Sequence, residues 1–206
     1  MTSEQIQSHS SVILASKSKI RTRLLNSAGV KHTVFSSEID ESEIKFRLKK
    51  EKVVPVRIAS ILAEKKAEKI SLLHPNSLVV GVDQILDCEG VIFDKPKNLD
   101  EARNHLMVLR GRNHKLLVSV CLAQYGIKIW SYESEATLEM RHLSDDYIDW
   151  YIRNMGEEAC QTVGAYKIEG LGAQLFSKIE GDYFSILGIP LLSLLTELRQ
   201  HGVILK

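Results

Sequence analysis

The sequence predicts a single α/β domain built on a mixed β-sheet flanked by helices, and three observations predict it. Short continuous apolar runs alternate with stretches of helical periodicity. Glycines and prolines fall between these stretches, where turns and helix ends need them. A chain of 206 residues, 44% hydrophobic, is long enough for one substantial core that can be pinched into two lobes.

The elements follow in order. Val12-Ile13-Leu14-Ala15 is short and wholly apolar, so it reads as a buried strand. Ile20, Leu24, Leu25 and Ala28 then recur at helical spacing, and Gly29 is a suitable stop. Residues 33–36 read as a second short strand, followed by a polar loop containing Asp40 and Glu41. A long helix is expected from Pro55 to Leu72, with Pro75 beyond its end. Residues 78–82 form the strongest candidate for a buried strand, with Asp83 at its end. Residues 85–93 read as a hairpin turning at Glu89-Gly90, and 100–109 as a helix ending at Gly111. Two further strands, 116–124 and 128–138, are joined by Tyr125-Gly126. Ser144 is placed to cap a helix running to Met155, and Gly156 to stop it. A glycine-punctuated stretch leads to a last helix that Pro190 opens and Gly202 closes. Residues 1–10 are expected to be a flexible N-terminus, and 11–206 to form the domain.

Composition narrows the function classes. Lys and Arg number 27 against 26 Asp and Glu, a net charge of +1, which argues against a general nucleic-acid-binding surface. Cys88, Cys121 and Cys160 are an odd number with no CxxC pair, poor material for disulfides or a zinc site. Residues 1–10 lack the apolar stretch of a signal peptide, and no run approaches the ~18 apolar residues of a membrane helix. A cytoplasmic chain without nucleic-acid or membrane partners is expected.

Several residues are placed for chemistry. The turn from Ala15 into the first helix offers unpaired helix N–H groups, which suit phosphate oxygens. Ser16 and Ser18 add hydroxyls, and Arg21 a planar fork for two oxygens. A simple helix cap and a solvated arginine are the plain alternative. Lys66 lies four residues after Leu62, so it either snorkels at the core's edge or points into a cleft. Asp83 at the end of an apolar strand risks losing hydration unless a metal or donor compensates, a capping or turn aspartate being the plain alternative. Pro96 biases Lys95 toward an extended backbone.

Together these stretches resemble the Maf family. Leu14-Ala15-Ser16-Lys17-Ser18 leading to Arg21 and Leu24-Leu25 is similar to its L-A-S-x-S opening. Ile39-Asp40-Glu41 resembles its acidic pair, Leu62 to Ala67 its L-A-x-x-K-A helix, and Gly81-Val82-Asp83 its G-x-D block. Asp94-Lys95-Pro96, the turn Gly111 to His114, and the blocks at 164–170, 181–183 and 188–190 follow in order, so the likeness spans about residues 11–203. The resemblance implies a Maf or ITPase-like fold, an elongated mixed sheet with two lobes around a nucleotide cleft. It implies hydrolysis of nucleoside triphosphates, modified or non-canonical ones, to monophosphate and pyrophosphate. Such an activity keeps them out of nucleic acids, and the family is suspected of a link to cell-division arrest.

In that reading Asp83 is the general base and, with Glu41, binds magnesium or manganese. Ser16, Ser18, Arg21, Lys66 and Lys95 bind phosphates, Gln84 and Glu169 contact the base, and His114 mainly orients a turn. A homodimer is implied. The chain departs from the family where Ile20 stands in place of an arginine and Gln161-Thr162 in place of Asp-Lys. The second departure, together with Gln84, Glu169 and Leu175-Phe176, leans toward the branch resembling 7-methyl-GTP pyrophosphatases and away from the branch acting on dTTP and UTP. The first leaves open a nucleotide-binding regulator with weak or lost catalysis.

Overall fold

The computed structural model describes residues 11–205; the expected flexible segment at 1–10 lies outside the described residues. Among the described residues seven strands form one mixed sheet. They are β1 (Val12–Ala15), β2 (His32–Val34), β3 (Leu78–Cys88), β4 (Val91–Phe93), β5 (Asn113–Gln124), β6 (Ile127–Met140) and β7 (Phe176–Glu180). Their order is β2-β1-β3-β5-β6-β7, with β4 folded back on β3. The pairs β2–β1 and β1–β3 are parallel and the others antiparallel. The helices are α1 (Lys19–Ser27), α2 (Glu41–Lys50), α3 (Pro55–Leu73), α4 (Leu99–Leu109), α5 (Asp145–Met155), α6 (Tyr183–Ile186) and α7 (Leu191–Gln200). This is the α/β domain the sequence predicts. Among the described residues no helix is long and apolar enough to cross a membrane.

The central feature is a gap beside β3. On one side β3 runs antiparallel to β5 without a break, Val79 to Asp87 against Ala123 to Lys115. On its other side β1 accompanies it only as far as Gly81, and β4 takes over at Leu86. Among the described residues, 82–85 therefore have no strand partner on that side, and the backbone there is open to other donors. Asp83 consequently stands in the middle of β3, not at the end of a strand as expected. The strand that ends there is β1, so a ligand-accepting crevice at a parallel strand's carboxyl end still forms beside Asp83.

Two hydrophobic clusters flank this gap. One gathers Val12, Leu14, Leu25, Val80, Val120, Leu194 and Leu198, between the parallel strands, α1 and α7. The other gathers Leu86, Leu106, Leu109, Leu138, Ile148 and Tyr151, under α4 and α5. On the opposite face α3 lies close to the sheet through Ala63 and Ala67, against Ile13, Val79 and Cys121. Burial pushes the Cys121 thiol up to about 12, so it is an inert core group, and all three cysteines are free.

The polar loop expected around Asp40 and Glu41 is instead the start of α2. Asp40 caps it, its Oδ1 accepting from the Glu43 N–H at 2.9 Å. Acidic Glu41 and Glu43 in the first turn and basic Arg47, Lys49 and Lys50 in the last complement the helix dipole. Of its few apolar residues only Leu48 is fully buried, while Phe46 is exposed, which hides the periodicity. Both predicted hairpin turns are present. Glu89-Gly90 and Tyr125-Gly126 take positive φ at both central residues, the backbone that matches strand twist. Strand β7 and the one-turn helix α6 arise in the glycine-rich stretch where no regular element was expected.

Candidate functional site

The gap opens into a cavity of about 900 Å³. Nearly every predicted residue lines it: Ser16, Ser18, Arg21, Glu41, Lys66, Asp83, Gln84, Lys95 and Glu169. The turn from β1 into α1 forms one lip, and the segment from β4 to α4 forms another. Cations and carboxylates that are remote in sequence thus meet at one place.

Its centre is an acid–base–acid cluster. The Lys66 ammonium, carried by α3, lies 2.6 Å from Asp83 Oδ1 and 2.9 Å from Glu41 Oε1. Lys66 and Asp83 side chains are only 8% and 7% exposed, so pairing is what makes their burial tolerable. Lys66 therefore points into the cleft, settling the alternative of snorkelling at the core's edge. The other carboxylate oxygen of Asp83, Oδ2, is buried with no hydrogen-bond partner among the described residues.

Arg21 is fastened to the lip. Its Nε donates to the Gly188 carbonyl at 2.7 Å, and its Nη1 to Ser16 Oγ at 2.9 Å and to the Val82 carbonyl at 3.1 Å. The last bond fills part of the gap along β3. Burial lowers its pKa, and Asp83 and Glu41 act against that shift. Ser16 Oγ also accepts from the Ser18 N–H at 3.3 Å. Ser18 stands at the α1 N-cap without a side-chain capping bond, and no acid occupies the first turn. By contrast α2, α4, α5 and α6 are each capped by an Asp, Asn or Ser side chain. The N-terminus of α1 keeps its positive end uncompensated, as an anion site requires.

Lys95 has no ion-pair partner among the described residues, and burial followed by repulsion from Arg21 and Lys66 lowers its pKa, against Glu41 and Asp83. Sequence reasoning missed Lys45, one turn after Glu41 on α2. Burial works against its charge, but its bond to Asp94 (2.6 Å) and the nearby Asp83 and Glu41 outweigh that and raise its pKa. The i, i+4 spacing of Glu41 and Lys45 was the available signal, lost with the helix itself. Gln84 uses its amide nitrogen on the carbonyls of Ser185 and Ile186, at 3.1 and 3.2 Å. Glu169 faces Arg23 at 3.5 Å on the rim.

His114 is not in a turn. It lies within β5, 1% exposed, with Nε2 2.8 Å from the Tyr166 hydroxyl. Burial lowers its pKa to about 4. Unfolded, the imidazole takes its proton near pH 6.5, so between those values the unfolded chain binds the extra proton. The stabilising contribution is complete above about pH 6.5 and is withdrawn as pH falls, by about 3 kcal/mol at pH 4. Urea midpoints are expected to drop more steeply between pH 7 and 4 for the native chain than for His114→Gln; parallel curves would contradict this.

Fold and cleft together define an α/β protein with a cavity, lined by cations and carboxylates, in a gap beside its central strand. Residues 11–201 match the family profile described as Maf-like protein, and the chain belongs to the Maf family. It is 47% identical over 193 residues to a nucleoside triphosphate pyrophosphatase of Caulobacter vibrioides, covering 94% of this chain and 96% of that protein. It is 44% identical over 190 residues to one from Paramagnetospirillum magneticum, covering 92% and 98%. A 7-methyl-GTP pyrophosphatase of Rhizobium etli is 43% identical over 193 residues, covering 94% and 97%.

Proposed function

We propose that this protein hydrolyses nucleoside triphosphates, those with modified or non-canonical bases, to nucleoside monophosphate and pyrophosphate, and so keeps them out of nucleic acids. The observation that carries this reading is the Glu41–Lys66–Asp83 cluster, its lysine and Asp83 buried and one Asp83 oxygen unpartnered, beside the uncapped end of α1. The relatives' names support the same chemistry.

The triphosphate lies along the lip, with Ser16, Ser18, Arg21, Lys66 and Lys95 around its oxygens. Water attacks the α-phosphorus in line, Asp83 takes the water's proton, and pyrophosphate departs. The fixed cations and helix N–H groups neutralise charge that grows on the transferring group and the leaving oxygen.

No group of three potential ligands is assembled among the described residues. The two carboxylates, one with an unpartnered oxygen, nonetheless fit a hard divalent cation, which commonly takes one or two carboxylates together with substrate phosphates. Glu41 and Asp83 would hold magnesium or manganese, and such an ion supplies charge neutralisation and a more acidic water.

The nucleoside would then point to the other lobe, where Leu116, Val163, Tyr166, Ile168, Ile186 and Leu187 form an apolar wall. Gln84, through Oε1, and Glu169 are placed to read base edges. A homodimer in the cytoplasm completes the reading. Purified protein with magnesium is expected to convert members of a panel including 7-methyl-GTP, GTP, dTTP and UTP to monophosphate and pyrophosphate, identified by chromatography. Binding without turnover across the panel, or release of orthophosphate instead, would overturn the reading.

Lys95 gives a milder test. Lys95→Ala is expected to raise KM about 10-fold with kcat changed less than about threefold, since a cation that meets the same phosphate oxygens in ground state and transition state contributes uniform binding. In the native protein KM should also rise on the alkaline side earlier than an ordinary lysine would dictate, and the variant should lack that rise. A kcat loss at constant KM would assign Lys95 a different role.

A further inference from the structure

One buried polar contact reaches the cavity wall but takes no part in the chemistry above. Tyr166 lines the cavity, is 5% exposed, and follows two residues with left-handed backbone, Gly164 (φ 75°) and Ala165 (φ 63°). For alanine that conformation is strained, so surrounding contacts must hold it. Three are visible. The Tyr151 hydroxyl donates to the Ala165 carbonyl at 3.3 Å. The Tyr166 ring packs on Gly164 so tightly that a Cβ built there would come within 2.6 Å of it. A further neighbour of the ring is Phe176, edge-on with ring centroids 4.8 Å apart.

The remaining restraint is His114. Its ring also meets Phe176, centroids 5.8 Å apart, and its Nε2 lies 2.8 Å from the Tyr166 hydroxyl. The other ring nitrogen, Nδ1, is buried without a partner among the described residues. Leaving one nitrogen unsatisfied costs free energy, and an apolar residue would avoid that cost. What the histidine gains is a single directed bond to the hydroxyl. With that hydroxyl anchored, the ring itself becomes the surface offered to a ligand.

We propose that His114 is a positioning residue for the nucleoside end of the cavity: by holding the Tyr166 hydroxyl it fixes the tyrosine ring as the wall against which the base packs. This rests on the nucleotide reading above and adds to it a residue that never touches substrate. At neutral pH the imidazole is uncharged, so the contact adds no charge to the wall.

The test separates base from phosphate by calorimetry, with magnesium present, using α,β-methylene-GTP and inorganic tripolyphosphate as probes. Tyr166→Phe removes one oxygen and His114→Leu removes the imidazole. Both are expected to weaken the nucleotide analogue about 5- to 10-fold, the range for one lost buried hydrogen bond, and to leave tripolyphosphate within about twofold. His114→Gln, whose amide reaches a similar position, should recover most of the loss. Unchanged nucleotide affinity in Tyr166→Phe, or parallel loss of both ligands, would overturn the proposal while leaving the hydrolase reading intact. If the native protein bound tripolyphosphate as tightly as the nucleotide analogue, no base subsite would exist, and the nucleotide reading would fall as well.

Discussion

Replacing Asp83 with asparagine is expected to lower kcat about 100- to 1,000-fold, the cost usual for removing one electrostatic group from a reaction centre. The substitution keeps the shape of the side chain but removes both its charge and its capacity to take a proton. Lys66 then retains Glu41 alone, at 2.9 Å. That remaining partner is half-exposed and the lysine stays paired, so stability should fall by less than the cost of stranding a buried ion. Single-turnover release of pyrophosphate, with circular dichroism to verify folding, measures both effects. Turnover near that of the native protein in a folded Asp83→Asn would remove Asp83 from its proposed role.

The convergence at Asp83 was partly legible in the sequence. Apolar runs identify β1, β3 and β5, since buried strands leave unbroken hydrophobic signatures, and most of the largely exposed β6 is legible from its place after the Tyr125-Gly126 turn. Caps identify α5 and α7 closely, through Ser144 and Pro190. The motifs name most of the cavity lining. Three of the features that escaped show the physical reasons. Helix α2 is held by its Asp40 cap and charge distribution more than by an apolar stripe, so periodicity could not find it. The length of β3 escaped because Asp83, a residue that usually ends a strand, is made tolerable inside one by a lysine 17 residues earlier. Strand β7 escaped because it is exposed and pairs only with the last residues of β6, leaving no buried face to mark it. For β3 and β7 a tertiary partner supplies what local sequence lacks.

The same dependence makes Gly81 the position where the fold is least forgiving. Its backbone takes an ordinary extended conformation, so the glycine is not there to permit a turn. It is there because α3 lies almost on top of it. A Cβ at residue 81 would stand 2.1 Å from the Ala63 carbonyl oxygen and 2.8 Å from both the backbone nitrogen and the Cβ of Ala67. Two of these three atoms are helix backbone and cannot swing aside, so α3 must retreat from the sheet. That helix also carries Lys66, whose place between Asp83 and Glu41 is set by this close approach. Gly81→Ala is therefore expected to lose about 3 kcal/mol or more in urea unfolding, at the upper end for an overpacked core, and to lose most activity in whatever fraction remains folded. Gly29→Ala is the control. It has a positive φ but nothing within 4 Å of a new Cβ, and it should cost only about 1 kcal/mol with activity kept. Adding Ala67→Gly should not rescue Gly81→Ala, because the closest obstacle is the Ala63 carbonyl. A stable, active Gly81→Ala would mean that α3 can slide without disturbing Lys66, and that the lysine's position does not depend on the contact between α3 and β3.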